Sequence, residues 1–387
     1  MKTRGAVLLE VGGPWSTEDI ELDPPKRGEV LVRMVASGLC HSDLHYNTPG
    51  FDIPTPLVGG HEGAGVVEEL GEGVEGLAVG DHVITTFMPS CGHCPTCVEG
   101  NGQLCDRGEF MMSGFALDQT TRLHVNGAPG MAMTWTGTFA EYSVAPVDSL
   151  IKIGKDVPLE KVVLISCGVP TGWGSAVNIA EVKAGDTVVV IGAGGVGMNA
   201  VQGAAFSGAS QIVVVEPHQW KRDIAISTFG ATHGAPSLEE ALPLVTELTH
   251  GRGADSAIIH VGQVQGSEIQ PALNLIKKAG VLAISAVSRM DQIDASLNVF
   301  GLAMMQKSIR GALYGGTPPK QSIPQLIDLY RRGQLKLDEL ITNTYAVEDV
   351  SEAYADLEAG KNLRGVVLHG ELAKHATAGS SRATAVA

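Results

Sequence analysis

The stretch TVVVIGAGGVGMNAVQGAAFSGASQIVVVE, residues 187–216, decides the architecture of half the chain. It opens on a run of β-branched residues, turns through glycines, continues as a helix pattern and closes on a second β-branched run. Near-continuous apolar strands joined by a helix belong to a parallel sheet covered on both faces. Gly192, Gly194 and Gly197 spell G-x-G-x-x-G, with Gly195 and Val196 inside the motif. On its own that match is weak. Here it follows a strand and opens a helix, and an acid, Glu216, comes nineteen residues after Gly197 at the end of the next strand. That context is the dinucleotide fingerprint. The first glycine makes the turn, the second admits a pyrophosphate, and the third lets the helix pack. The helix N-terminus then faces the phosphates. Glu216 would accept from the adenosine ribose and repel a 2′-phosphate, so NAD is favoured over NADP. Lys221 is also within reach of that ribose.

Further strand runs, ADSAIIHVG, GVLAISAV and SIRGALYGG, extend the pattern, with helical segments between them. Upstream, the character differs. AVLLEV, EVLVRMVASG, GAGVVEEL, GDHVITTF and TFAEYSVAP are short β segments broken by Gly and Pro, as in an irregular, barrel-like β domain. The reading is an α/β chain with four parts: a β-rich domain over residues 1–160, a doubly wound parallel-sheet domain over 161–312, a return to the first domain over 313–370, and a mobile Ala/Ser/Thr-rich tail over 371–387.

The 387 residues carry a net charge of −15 and are 44% hydrophobic. The acidity argues against nucleic-acid or anionic-membrane partners. No apolar run reaches the ~18 residues that a spanning helix needs. The first residues, MKTRGAVLLEV, read as a strand rather than a signal peptide. A cytoplasmic protein with reduced thiols is the expectation.

Six cysteines follow from that as metal ligands rather than disulfide partners. CGHCPTCVEGNGQLC places Cys91, Cys94, Cys97 and Cys105 as C-x2-C-x2-C-x7-C. Four thiolates and no open position describe a structural zinc site. Cys40 and Cys167 are left over. A lone cysteine is usually a small core residue, and the same holds for a lone histidine such as His61. Two thiolates and one imidazole would also make a three-ligand zinc site with a fourth position open.

Taken together, GLCHSDLH, GHEGAG, the four-cysteine loop, CGVPTGWGSAV, GAGGVG and GKNLRGVVL resemble the zinc-dependent alcohol dehydrogenases of the medium-chain dehydrogenase/reductase superfamily. The resemblance covers residues 1–370. Within the group, segment 106–138 and DELITNTYAVEDV look most like the actinobacterial nicotinoprotein, or nitrosodimethylaniline-dependent, branch. The resemblance implies a GroES-like catalytic domain built from both chain ends, with a Rossmann domain inserted. It implies Cys40, His61 and Cys167 as catalytic zinc ligands, Glu62 as an acid beside the metal, and Asp43 as the carboxylate that orients His61. Ser42 and His45 match a proton relay. His41 matches a basic position near the cofactor pyrophosphate, Thr171 a neighbour of the nicotinamide, and Arg364 a further pyrophosphate contact. Two zinc ions per chain, NAD and a homodimeric or homotetrameric assembly are implied.

The expected reaction interconverts primary alcohols and aldehydes. Phe110, Met111, Met112, Met131, Met133 and Trp135 lean it toward hydrophobic or aromatic substrates, and the nicotinoprotein resemblance implies a tightly held cofactor. The alternative is a mycothiol- or glutathione-dependent formaldehyde dehydrogenase, for which Arg107 and Arg122 are the candidate pocket cations. Two features depart from the commoner pattern. Glu216 stands where Asp is usual. His260 stands where a small or β-branched residue would border the nicotinamide ribose, either as a polar contact or as packing.

Overall fold

A computed structural model describes residues 1–48, 53–113, 115–116, 118–289 and 291–377, without the side chains of 110–112. The chain divides into two compact units. The first comprises Met1–Cys167, Pro318–Gly333 and Leu337–Ala387, the second Gly168–Thr317 and Gln334–Lys336.

The first unit holds two sheets. Its strands are β1 (Lys2–Leu8), β2 (Trp15–Leu22), β3 (Glu29–Gly38), β4 (Leu57–Val58), β5 (Glu62–Leu70), β6 (His82–Thr85), β7 (Leu123–Val125), β8 (Ala128–Ala132), β9 (Tyr142–Pro146) and β10 (Leu150–Ile153). Late in the chain come β17 (Ile341–Tyr345) and β18 (Arg364–Leu368). β1, β2, β7, β8 and β4 close into a small barrel. The second sheet runs β10-β6-β5-β3-β18-β17, with β9 added along β3. β2, WSTEDIEL, is the strand that sequence hides. Its other positions are polar or charged, and only Trp15, Ile20 and Leu22 turn into the core.

The second unit is one parallel sheet of β11 (Thr187–Ile191), β12 (Gln211–Val215), β13 (His233–Ala235), β14 (Ala254–Ile259), β15 (Ile276–Ile284) and β16 (Ser308–Gly311). The strand order is β13-β12-β11-β14-β15-β16. Order reverses between β11 and β14, the doubly wound arrangement. β11 is buried at every position, which explains its unbroken apolar run.

The boundaries differ from those read in sequence. Residues 161–167 stay with the first unit, because the turns Leu159–Val162 and Val163–Ser166 pack on β3 and β5. Residues 313–317 stay with the second. There Gly315 lies so close to Gly174 that a Cβ on Gly174 would sit 2.3 Å from the Gly315 oxygen. Residues 334–336 also join it, through Lys336 N–H to Gln202 Oε1 at 2.8 Å. The expected tail from 371 begins instead with a short helix, Gly370–His375, and Thr377 N–H donates to Thr344 Oγ1 at 3.0 Å. Residues 378–387 lie outside the described residues. Among the described residues no single helix is long and apolar enough to cross a membrane.

Candidate active site and metal centres

The first centre is built where β3 ends. Cys40 caps the short helix His41–Tyr46, and Asp43, three residues on, reaches back to the Cys40 N–H at 3.2 Å. That is half of a capping box. The other Asp43 oxygen lies 3.1 Å from Nδ1 of His61, at the start of β5. One fully buried carboxylate therefore fixes both the helix and the imidazole. Cys167 arrives from the turn Val163–Ser166. The donor atoms of Cys40, His61, Glu62 and Cys167 all lie within 4.8 Å of one another, and all four residues are buried.

Chemistry tests this cluster for a metal. Nδ1 of His61 is held by Asp43, while Nε2 is buried with no hydrogen-bond partner. Buried polar atoms are almost always paired, and a metal-binding imidazole is oriented through its other nitrogen. The Cys40 thiol is held well below its ordinary value, first by its hydrogen bond with Cys167 and then by His61 and Arg364. Cys167 is pushed up in exchange. Two buried thiols beside an imidazole nitrogen that lacks a hydrogen-bond partner are a donor set that suits a zinc ion. Glu62 is paired with Arg364 by Oε2, and its Oε1 has no partner. Burial raises the Glu62 carboxyl to about 7 against the pull of that guanidinium.

Ser42 and His45 are three apart on helix His41–Tyr46 and so share a face. The Ser42 hydroxyl lies 3.5 Å from Cys40 Sγ. His41, first in the helix, is exposed. Two neighbours were not legible in sequence. The Phe87 ring stands edge-on to His61 at 5.9 Å. The Tyr354 hydroxyl, buried and unpartnered, is pushed well above its usual pKa by burial and by nearby Asp43. Phe87 ends the GDHVITTF run just before the cysteine loop, and that position was its only signal. Arg364 is buried; its guanidinium pairs with Glu62, and its Nε has no hydrogen-bond partner.

The second centre joins Cys91, Cys94, Cys97 and Cys105, again within 4.8 Å. None forms a disulfide. Cys91 and Cys97 are 3.9 Å apart, as are Cys94 and Cys105. A tetrahedron with zinc–sulfur bonds of ~2.3 Å has edges of about 3.8 Å. Backbone N–H groups of Cys94 and Cys97 point at the sulfurs at 3.4 Å. Against burial, such bonds hold the Cys91 thiol down at about 6.

In the second unit the fingerprint loop leaves β11. Gly192 takes φ +92°, and a Cβ there would lie 2.8 Å from the His260 oxygen. Gly194 caps the helix Gly195–Phe206, with open space where its Cβ would be. A Cβ on Gly197 would collide with the Gly192 oxygen at 1.8 Å. The open cradle before a helix N-terminus fits a pyrophosphate. Glu216 follows β12. Its longer side chain reaches back to the loop, accepting from Ala193 N–H at 3.0 Å and His218 N–H at 3.1 Å. Lys221 is buried over the Trp220 ring, at 5.5 Å from its centroid. Burial lowers its ammonium against the pull of Glu216. Thr171 lies on the helix Gly168–Gly174, whose Gly172 packs against the Val196 carbonyl at the start of the fingerprint helix.

A buried two-thiol, one-imidazole centre and a dinucleotide-binding sheet define a zinc- and nicotinamide-dependent dehydrogenase. Comparison agrees. Residues 26–155 match the alcohol dehydrogenase GroES-like domain and residues 195–332 the zinc-binding dehydrogenase family. An NDMA-dependent alcohol dehydrogenase of Amycolatopsis methanolica is 44% identical over 95% of this chain and 99% of its own. Among solved structures, an alcohol dehydrogenase zinc-binding domain protein from Burkholderia ambifaria superposes with a TM-score of 0.89 at 33% identity. It covers 96% of this chain and 100% of its own. The benzyl alcohol dehydrogenase of Acinetobacter calcoaceticus has the same TM-score and coverage at 28% identity. The chain belongs to the zinc-binding alcohol dehydrogenases of the medium-chain dehydrogenase/reductase superfamily.

Proposed function

We propose that this alcohol dehydrogenase interconverts hydrophobic or aromatic primary alcohols and their aldehydes, with zinc at both cysteine centres and a firmly held NAD. The observation that carries the metal role is the orphan His61 Nε2 between two buried thiols. Bound there, zinc would supply Lewis-acid polarisation of an alcohol oxygen, and the dinucleotide would supply the hydride acceptor. Cys40, His61 and Cys167 would hold the metal. The Ser42 hydroxyl, able to accept and donate at once, takes the alcohol proton and passes it toward His45, one turn on. Asp43 keeps the His61 ring in its binding tautomer. Glu216, carrying a negative charge beside the loop, supports NAD over NADP.

The substrate reading draws on Phe87 beside His61 and on the absence of a free cation among the two candidates. Arg107 pairs with Asp148. Arg122 is clasped by Glu29 through two 2.7 Å bonds and by Asp118 at 2.9 Å. An anionic carrier thiol would find neither available, which counts against the formaldehyde reading. Met131 and Met133 are core residues of the first unit, and Phe110, Met111 and Met112 lie outside the described side chains. A retained cofactor is what the resemblance to the nicotinoprotein branch implies. The deciding experiment compares benzyl alcohol with formaldehyde plus mycothiol, and measures zinc and NAD(H) in the purified protein. Turnover only with the thiol would overturn the reading.

We also propose a homo-oligomer, a dimer or tetramer. β16 is an edge strand, and Val299, Phe300 and Met304 just before it are each at least two-thirds exposed. Apolar edges of that kind are ordinarily covered. Light scattering of the purified chain tests this, and a monomer refutes it.

A further inference from the structure

The second unit contains one buried histidine that the reaction does not use. His260 directly follows β14, and its N–H donates to the Ile191 carbonyl at 2.7 Å, prolonging the ladder with β11. This is the point at which strand order reverses, where parallel α/β sheets bind ligands.

The face it occupies follows from strand alternation. Ala257 and Ile259 pack with Ala241, Val245 and Ile269 on one side of the sheet. Ile258 and His260 therefore point to the other side. Val190, in register with Ile258, meets the fingerprint helix there, with a Cβ on Gly197 lying 3.6 Å from its Cγ1. His260 thus shares its side of the sheet with the helix whose N-terminus forms the phosphate cradle. It also belongs to the half of the sheet beyond β11. The half that carries β12 and Glu216 takes adenosine, so the β14 half faces the nicotinamide nucleotide.

Ser285, following β15, bonds Nδ1 of the ring and sets its orientation. Nε2 is buried and has no hydrogen-bond partner. Burial holds the imidazole neutral, its pKa brought down to about 3. A fixed, neutral, unpartnered nitrogen beside a ligand cradle is a group waiting for a polar atom of that ligand.

We propose that Nε2 of His260 hydrogen-bonds the nicotinamide half of the bound dinucleotide, at a ribose hydroxyl or phosphate oxygen. This rests on the nicotinamide-cofactor reading of the unit and adds a contact to it. The probes are NADH, followed by fluorescence titration, and AMP, which carries only the adenosine half. His260→Val should weaken NADH binding about tenfold and leave AMP affinity unchanged. His260→Gln, which keeps a polar atom at that reach, should recover part of the loss, and it serves if the valine variant folds poorly. Unchanged NADH affinity in His260→Val overturns the proposal. So does a parallel loss of NADH and AMP binding, the mark of a packing role. If the wild-type chain, freed of co-purified nucleotide, binds neither NADH nor NADPH, the cofactor reading fails and the contact falls with it. That outcome shows in the wild type alone.

Discussion

Replacing Asp43 by Asn isolates the contribution of the carboxylate that orients His61. Its two oxygens accept from two donors, the Cys40 N–H at 3.2 Å and His61 Nδ1 at 3.1 Å. An asparagine has one accepting oxygen, so its NH2 must face one of those donors whichever way the amide is turned. A buried donor left without an acceptor costs about 1–3 kcal/mol. A tenfold change in affinity is about 1.4 kcal/mol, so metal binding at Cys40, His61 and Cys167 should weaken about 10–100-fold. Cys91, Cys94, Cys97 and Cys105 do not touch Asp43 and provide an internal standard. Zinc per chain, measured after equilibration against graded chelator, should fall from two to one at a lower chelator concentration than in wild type. If both zinc ions leave the variant at wild-type chelator levels, Asp43 does not support the centre in the way argued.

Glu216→Ala should weaken NAD binding and narrow the preference over NADP, because it removes the repelling charge and leaves the Ala193 and His218 N–H groups without an acceptor. Equal affinities before and after would return the ribose to Lys221. Glu29→Ala strands the Arg122 guanidinium, whose side chain is 6% exposed, and should cost about 3–5 kcal/mol in urea unfolding. A loss under about 1 kcal/mol would show that Asp118 suffices. The pKa values of His260 and His369 are depressed by burial to about 3 and about 4, so both stay neutral in the fold. Their contribution is present above the unfolded value of ~6.5 and is lost as pH falls toward the folded values, about 2 kcal/mol each at pH 5. His369→Gln should flatten the fall in urea midpoint between pH 7 and 5, and a curve parallel to wild type would remove His369 from the acid response. His45→Ala should slow turnover and change the pH–rate profile, and an unchanged profile removes it from the relay.

The second unit was legible because its information is local. The apolar runs of β11, β12 and β14 are buried on both faces, and the glycines stand at fixed offsets from β11. Short β13 escaped, having only three residues, HGA, without an apolar run. In the first unit the four-cysteine loop could be read outright, since all its ligands fall within fifteen residues. Cys40, His61 and Cys167 carry no such spacing and became a set only through family resemblance. Nothing in sequence reports that Arg364 turns to Glu62, 302 positions away, or that Tyr354 stands over Asp43. Arg122 read as a pocket cation because its partner Glu29 lies 93 residues earlier. Contacts closed by the fold rather than by the neighbouring chain leave no periodic trace.

β18 has a consequence for how the protein is born. It pairs with Ala36–Gly38 of β3, and the Leu39 N–H donates to the Gly365 carbonyl, one residue before Cys40. Every candidate ligand has been synthesised by residue 167, whereas this strand follows the whole second unit. Until it emerges, the edge of β3 that leads to Cys40 is unpaired at 36–38, and Glu62 lacks its counter-charge. A nascent chain stalled short of residue 364 would hold all seven candidate metal ligands, with an open strand edge beside three of them. Truncations and bulky fusions at the C-terminus should therefore act directly on the candidate metal centre encoded near the other end of the gene.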